Sequence, residues 1–350
     1  MVVVHGTVGL MELPDVSFFL FGMGGRRKLV YKDGALYDAL SRETLREWDT
    51  ESENIRPSEY AVALETKRGD KVVIREDEEG VWLDESEKRV CLTRSKLKLP
   101  QFNGYRHAKL MRILHHEILI NVVDGQPVPN YFVYLKPWLR DAAMMCTCLE
   151  KTGNLRLVRD WILGLKEPFD RNAGNVETDN LGQSLYLVSL VSDASHPLVA
   201  TVLNAVPEYT KDNHVVGLTD FAEHPVFQTK WLKLGLKRLG LKDDYVIPKG
   251  YDSYSALFWM DYKGCHVEGK PLTEREKDLY PYLGWAEAHF HGWPAPKALI
   301  SENYPVTWES HVTQADYDGM ARVSKQYVES KTCAPHGWHA AETFLYLLEK

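Results

Sequence analysis

Two hydrophobic periods divide the chain near Pro100. Ahead of it, apolar residues come in short runs: Tyr60-Ala-Val-Ala-Leu-Glu-Thr66, Lys71-Val-Val-Ile-Arg75, Val81-Trp-Leu83 and Arg89-Val-Cys-Leu92. Lys67-Arg-Gly-Asp70 and the acidic Glu76-Asp-Glu-Glu-Gly80 separate them. Short β-branched runs bounded by glycine and charge predict antiparallel hairpins. The acidic cluster reads as a solvated turn. Met23-Gly-Gly25 before Arg26-Arg27 lacks both the spacing and the following Lys-Ser/Thr of a phosphate loop. Residues 1–100 are therefore expected to form a small antiparallel β region.

Beyond Pro100 the period becomes helical. Leu110, Ile113, Leu114 and Ile118 mark one stripe of an amphipathic helix. Trp138 to Glu150 leaves almost no polar face, which predicts a helix buried on every side. Leu155 to Leu165 is amphipathic again, and Asp179 to Val191 returns to the buried type. Candidate buried helices start near Trp138, Asp179, Phe227, Asp252, Tyr282 and His336. Buried and half-buried helices in alternation predict two concentric layers. The expected architecture is mostly α: an (α/α)6 toroid over residues 101–350, preceded by the β region and carrying the functional site.

Composition narrows the function. The 350 residues are 44% hydrophobic and 26% charged, as in a globular protein. A net charge of −7 argues against nucleic acid as the main partner. The apolar run Val16 to Gly22 is far shorter than the roughly 20 residues that span a membrane, and it precedes Arg26-Arg27-Lys28, the reverse of a secretory signal's charge order. Five cysteines without a CxxC predict free thiols in a cytoplasmic protein, with Cys146 and Cys148 in the core. Ten Trp and eighteen Tyr exceed what a core needs, since both carry polar atoms that want partners. Such rings suit stacking on sugars.

In a toroid the buried-helix starts converge on one mouth. Here they read Trp138-Leu-Arg-Asp141, Glu177-Thr-Asp179-Asn-Leu-Gly-Gln183, His224-Pro-Val-Phe227, Tyr251-Asp-Ser-Tyr254, Tyr280-Pro-Tyr282-Leu-Gly-Trp285 and Pro335-His-Gly-Trp-His339. Asp179 and Asp252 could equally be helix N-caps, but capping needs neither Trp nor Tyr. The stretch Tyr131-Phe-Val-Tyr-Leu-Lys-Pro-Trp-Leu-Arg-Asp-Ala-Ala, followed by Leu149-Glu-Lys-Thr-Gly-Asn154, resembles a hairpin of the glucoamylase-like, six-hairpin glycosidases. That resemblance implies a toroid and makes Trp138, Arg140 and Asp141 sugar-binding positions. No counterpart of the glucoamylase catalytic glutamate loops is found.

The chemistry is then argued from residue types. Glycoside hydrolysis needs one carboxylic acid and one carboxylate. The candidates are Asp179, Asp252 and Glu309, the last beside Trp308 in a long loop. Gln183, Tyr251, Trp285, His289, His336, Trp338 and His339 are expected to bind the oligosaccharide. Neither cofactor nor metal is expected: HExxH is absent, and Pro335 and Gly337 place His336 at a helix entrance. Two other readings stay open. One is a sugar epimerase or isomerase pairing His289 or His291 with His336 or His339 as acid and base. The other is a non-catalytic carbohydrate-binding protein.

Overall fold

The computed structural model describes residues 16–249, 252, 254–265, 273, 281–294, 302–310, 312 and 315–350. They fall into two compact units. A helical unit takes Trp138–Cys146 and Arg159–Leu299, and a sheet unit takes Leu13–Pro137, Thr147–Val158 and Ile300–Lys350. No helix among the described residues is long and apolar enough to cross a membrane.

The sheet unit opens with two antiparallel meanders. Strands β1 (Phe18–Phe21), β2 (Leu29–Lys32), β3 (Ala35–Asp38) and β4 (Thr44–Glu47) form one. Strands β5 (Thr50–Arg56), β6 (Ala61–Thr66), β7 (Lys71–Glu76), β8 (Gly80–Glu85) and β9 (Lys88–Arg94) form the other. All four residues of β1 are buried, because alternate side chains enter different cores. Phe19 and Phe21 pack with Leu29, Tyr31, Val62 and Ile74, whereas Phe18 and Leu20 pack with Val30, Val128, Tyr131 and Met320. Burial of each such side chain contributes roughly 1.5–3 kcal/mol.

The acidic turn is only partly solvated. Glu76 ends β7 inside the protein, where it accepts from Gly22 N (2.9 Å), Met23 N (2.7 Å) and Arg26 Nη1 (2.8 Å). The Met23-Gly-Gly25 loop therefore wraps a carboxylate of its own chain. Helix α1 (Ala108–Ile120) is buried well beyond its apolar stripe, taking in His115, His116 and Glu117. Burial lowers the histidines to about 3 and about 4, so both are neutral. The same unit holds β10 (Val122–Val123), β11 (Gln126–Pro127) and three later helices, of which the last packs on α1.

Helix α2 (Leu139–Thr152) opens in the helical unit and is followed by α3 (Arg159–Leu163). Helices α4 (Asn180–Ser189) and α6 (Pro225–Arg238) cross closely, with α5 (Pro197–Ala205) packed on α4. A Cβ on Gly182 would lie 2.1 Å from the backbone carbon of Trp231, so only glycine fits that crossing. Helix α7 (Pro281–His291) follows. Strand pairs β12 (Arg171–Asn172) with β13 (Asn175–Val176), β14 (Thr210–Lys211) with β15 (His214–Val215), and β16 (Leu218–Thr219) with β17 (Ala222–Glu223) make three short hairpins. Their loops, Ala173-Gly174, Asp212-Asn213 and Asp220-Phe221, all have positive φ, as type I′ turns require. In the sheet unit α8 (Asp318–Ala321), α9 (Lys325–Glu329) and α10 (Gly337–Leu348) complete the chain.

The protein is 36% helical and 22% strand, which overturns the expected mostly α, (α/α)6 toroid. The apolar windows do contain helices starting at Leu139, Asn180, Pro225, Pro281 and Gly337. Near Asp252 the described residues form a single 3-10 turn, Ser255–Leu257. Among the described residues, α5 is the one connecting helix of any length between these windows and packs on α4, and the others do not make an outer layer. Helices α3, α8 and α9 have 5, 4 and 5 residues, too short to cover a neighbour, and type I′ hairpins occupy other connections. An all-apolar helix reports that it is buried, not what buries it.

Replacing Gly182 by Ala should cost about 1–3 kcal/mol by overpacking, read as a lower melting temperature. Gly264→Ala, where a Cβ meets nothing within 4 Å, should stay within about 0.5 kcal/mol of wild type. Equal melting temperatures for the two variants would show the α4–α6 crossing to be wrong.

Candidate functional site

The sequence Trp138-Leu-Arg-Asp141 starts α2 inside the helical unit. The cap comes from elsewhere: Leu139 N donates to Asp170 Oδ2 at 2.5 Å, and Asp170 N donates to Asn180 Oδ1 at 2.7 Å. Asp141 occupies the first turn, where the helix dipole favours an acid, and is 8% exposed. Trp138 is half-buried beside it.

Arg140 is the centre of the site. Its side chain is buried and meets three carboxylates. Nη2 donates to Glu177 Oε2 at 2.5 Å, Nε to Asp179 Oδ2 at 3.2 Å and Nη1 to Asp220 Oδ2 at 2.5 Å. One cation against three acids leaves excess negative potential in a desolvated place, which favours protonation. Burial raises Glu177 to about 7, with Asp220 and Asp179 adding to the rise and Arg140 opposing it. Burial likewise raises Asp179. Glu177 Oε2 also accepts from Asp220 N at 2.9 Å. Its Oε1 is buried with no hydrogen-bond partner among the described residues, leaving one oxygen to carry the proton.

Asp220 reaches Arg140 because it is the first turn residue of the β16–β17 hairpin. Its side chain is 31% exposed, against 1% for Glu177 and 0% for Asp179. Tyr254 donates its hydroxyl to Asp220 Oδ2 at 3.1 Å and stacks on His224, ring centroids 4.0 Å apart. Burial holds the Tyr254 phenol un-ionised. The two rings form an aromatic platform touching the acid cluster.

The expected residues divide by unit. Asp179 belongs to the cluster, held between Arg140 and Gln183, whose Nε2 donates to Oδ2 at 2.8 Å. Although it precedes α4, its side chain caps nothing. Asp252 is scaffold: it accepts from Phe227 N (2.8 Å) and Tyr254 N (2.9 Å) and meets His224 Nδ1 at 3.1 Å. It thus caps α6 from outside the helix. Trp285 and His289 lie on α7, and His289 stacks on Trp259 at 5.8 Å. Tyr251 lies outside the described residues.

Glu309, His336, Trp338 and His339 belong to the sheet unit. Glu309 Oε2 meets His336 Nε2 at 2.8 Å. Trp338 Nε1 donates to Glu342 Oε1 at 2.9 Å, and His339 Nδ1 meets Trp308 O at 2.6 Å. The proposed histidine partners are therefore split, His289 and His291 in one unit and His336 and His339 in the other. Glu177 and Tyr254 lie in the quoted motifs but were not among the expected site residues. Asp220 left only one signal, an Asp in a two-residue loop between short β-capable pairs. No family model, curated protein or solved structure matches the chain.

The raised Glu177 fixes the sign of a pH effect. Its folded-state pKa lies above the ordinary 4.5. The proton it holds stabilises the fold fully below that value, and the contribution is lost as pH rises to about 7. Glu117 shifts in the same direction but is common to wild type and variant. The stability of wild type relative to Glu177→Gln should therefore fall across this window and level off above it. A difference constant from pH 4 to 8 in chemical denaturation would show that Glu177 does not hold a proton in the fold.

Proposed function

We propose that the chain is a glycoside hydrolase whose reacting carboxyls are Glu177 and Asp220, gathered by Arg140. The observation that carries this is the pairing of a buried carboxyl, raised to about 7, with a second acid on the same guanidinium whose side chain is 31% exposed. Two carboxyls in environments this different suit the acid and base roles. Glu177 Oε1 is buried in the free chain; once substrate binding uncovers it, Glu177 donates its Oε1 proton to the leaving glycosidic oxygen. Asp220 takes the proton of the attacking water, whose oxygen bonds to the anomeric carbon as the glycosidic bond breaks. Asp179, fixed by Arg140 and Gln183, positions the guanidinium.

The sugar class is supported by the rings around the acids. Half-buried Tyr254, backed by the stacked ring of buried His224, lies beside Asp220, and half-buried Trp138 precedes Arg140. The likeness of Trp138-Leu-Arg-Asp141 to the helix opening of six-hairpin glycosidases points to the same substrate class. An oligosaccharide is the substrate this combination fits, with Asp141 and Arg140 close to its hydroxyls.

Reducing ends released from a panel of neutral and acidic oligosaccharides test the reading. Glu177→Gln and Asp220→Asn should each lose at least a hundredfold in kcat/KM, about 2.7 kcal/mol of transition-state stabilisation. Melting temperatures are compared near pH 5, where Gln is isosteric with the protonated Glu177, and should agree. The alkaline limb of the wild-type rate profile should fall near 7, the Glu177 value. No release from any substrate, or full activity in both variants, would sink the proposal.

A further inference from the structure

In the sheet unit, Glu309, Cys333 and His336 bring a carboxylate oxygen, a thiol sulfur and an imidazole nitrogen within 4.8 Å of one another. We propose that these three side chains form a zinc-binding site. The donor set is mixed in the way Zn2+ accepts: sulfur, nitrogen and oxygen together, with Cys and His three residues apart. Calcium and magnesium take oxygen and do not use a thiol.

The backbone around the three donors is fixed. Glu309 N donates to Cys333 O and Cys333 N donates to Glu309 O, both at 2.9 Å. This is a hydrogen-bonded antiparallel pair, so the two side chains leave the same face. The carbonyl of Pro335 accepts from Asn130 Nδ2 at 2.7 Å and Asn121 Nδ2 at 3.3 Å, and His336 N donates to Thr307 Oγ1 at 3.1 Å. Thr307 in turn donates to Glu117 Oε2 at 2.5 Å. These buried polar groups hold the Cys333-Ala-Pro-His336 segment beside the bridge residue Glu309, which pre-pays much of the ordering a metal site needs.

Exposure is graded across the three. Cys333 is fully buried, the His336 side chain is 2% exposed and that of Glu309 is 38% exposed. An ion would enter past Glu309, whose side chain can swing, and settle against the sulfur. Donors about 2.0–2.3 Å from the ion lie closer together than the 4.8 Å span here, so the side chains contract on binding. His336 Nδ1 now accepts from His339 N at 3.5 Å, so Nε2 carries the ring hydrogen toward Glu309; on binding that hydrogen passes to Nδ1, which gives up the His339 contact, and Nε2 becomes the nitrogen donor. The thiol proton of Cys333 is exchanged for the metal and released to solvent. Three protein ligands leave a fourth position for water.

The full chain, stripped with a chelator and dialysed, is titrated with Zn2+ by calorimetry and its bound metal counted by mass spectrometry. One tight zinc per chain is expected, with a melting temperature that rises as zinc is added. Co2+ in its place should give a thiolate-to-cobalt charge-transfer band in the near ultraviolet, absent from Cys333→Ser. Cys333→Ser and the half-exposed Glu309→Ala should each weaken Zn2+ by at least about tenfold, the effect that removal of even an outer partner brings. Glu309→Ala keeps the test decisive if the buried cysteine variant fails to fold. No zinc bound, no cobalt–thiolate band, or zinc held equally by wild type and Glu309→Ala would overturn the proposal.

Discussion

Arg140 puts one guanidinium among Glu177, Asp179 and Asp220, and the helical unit is arranged around that contact. The three acids come from the segment before α4 and from the β16–β17 hairpin, so Arg140 ties both to the first turn of α2. Desolvating each charge costs several kcal/mol. A single pair about 4 Å apart returns roughly 4 kcal/mol at an effective dielectric constant of 20. One cation cannot offset three such costs, so the cheapest arrangement places a proton on a buried acid that has an oxygen without a donor. Glu177 meets that description, with both oxygens buried and only one of them partnered.

The sheet unit handles its buried acids differently. Glu76 has one cation, Arg26, and two backbone N–H donors for its two oxygens. Burial still raises its pKa, but each oxygen is accounted for. Glu117 accepts from Val306 N and the Thr307 hydroxyl, and burial pushes it up to about 8. Its role is to hold the segment that carries Thr307 and Glu309 beside His336. Matched donors and acceptors mark structural acids. The Arg140 cluster departs from that balance, and an imbalance retained inside a protein asks for a use.

Much of this was legible from the chain and some of it could not be. Alternation in β6 and β7 matches their buried positions, because a strand's two faces are read directly by the period of two. Apolar windows located α2, α4, α6, α7 and α10 for the same reason at a period of 3.6. Periodicity says nothing about what lies between helices. There the chain uses hairpins of two residues per strand, below the length at which any period exists. Arg140 and Asp179 were found because they open helices. Asp220 was missed because a turn residue joins its partner across 80 positions, and Cys333 because its bridge to Glu309 is a long-range backbone pair.

The hairpin that delivers Asp220 carries its own argument. Both turn residues are left-handed, with φ of 46° at Asp220 and 67° at Phe221. Asp tolerates that region; a bulky aromatic does not, and such a residue costs of order 1–3 kcal/mol. Phe221 gains little in return, since it is 57% exposed. Asn-Gly would make the same turn without strain. What holds the strained loop in place is the acid beside it: Asp220 N donates to Glu177, its carboxylate accepts from Arg140, and Tyr254 donates to the same oxygen. The order of cause runs from the cluster to the loop. Charge pairing at Arg140 stabilises a backbone conformation the local sequence disfavours, and that conformation in turn presents one carboxylate of the cluster to solvent.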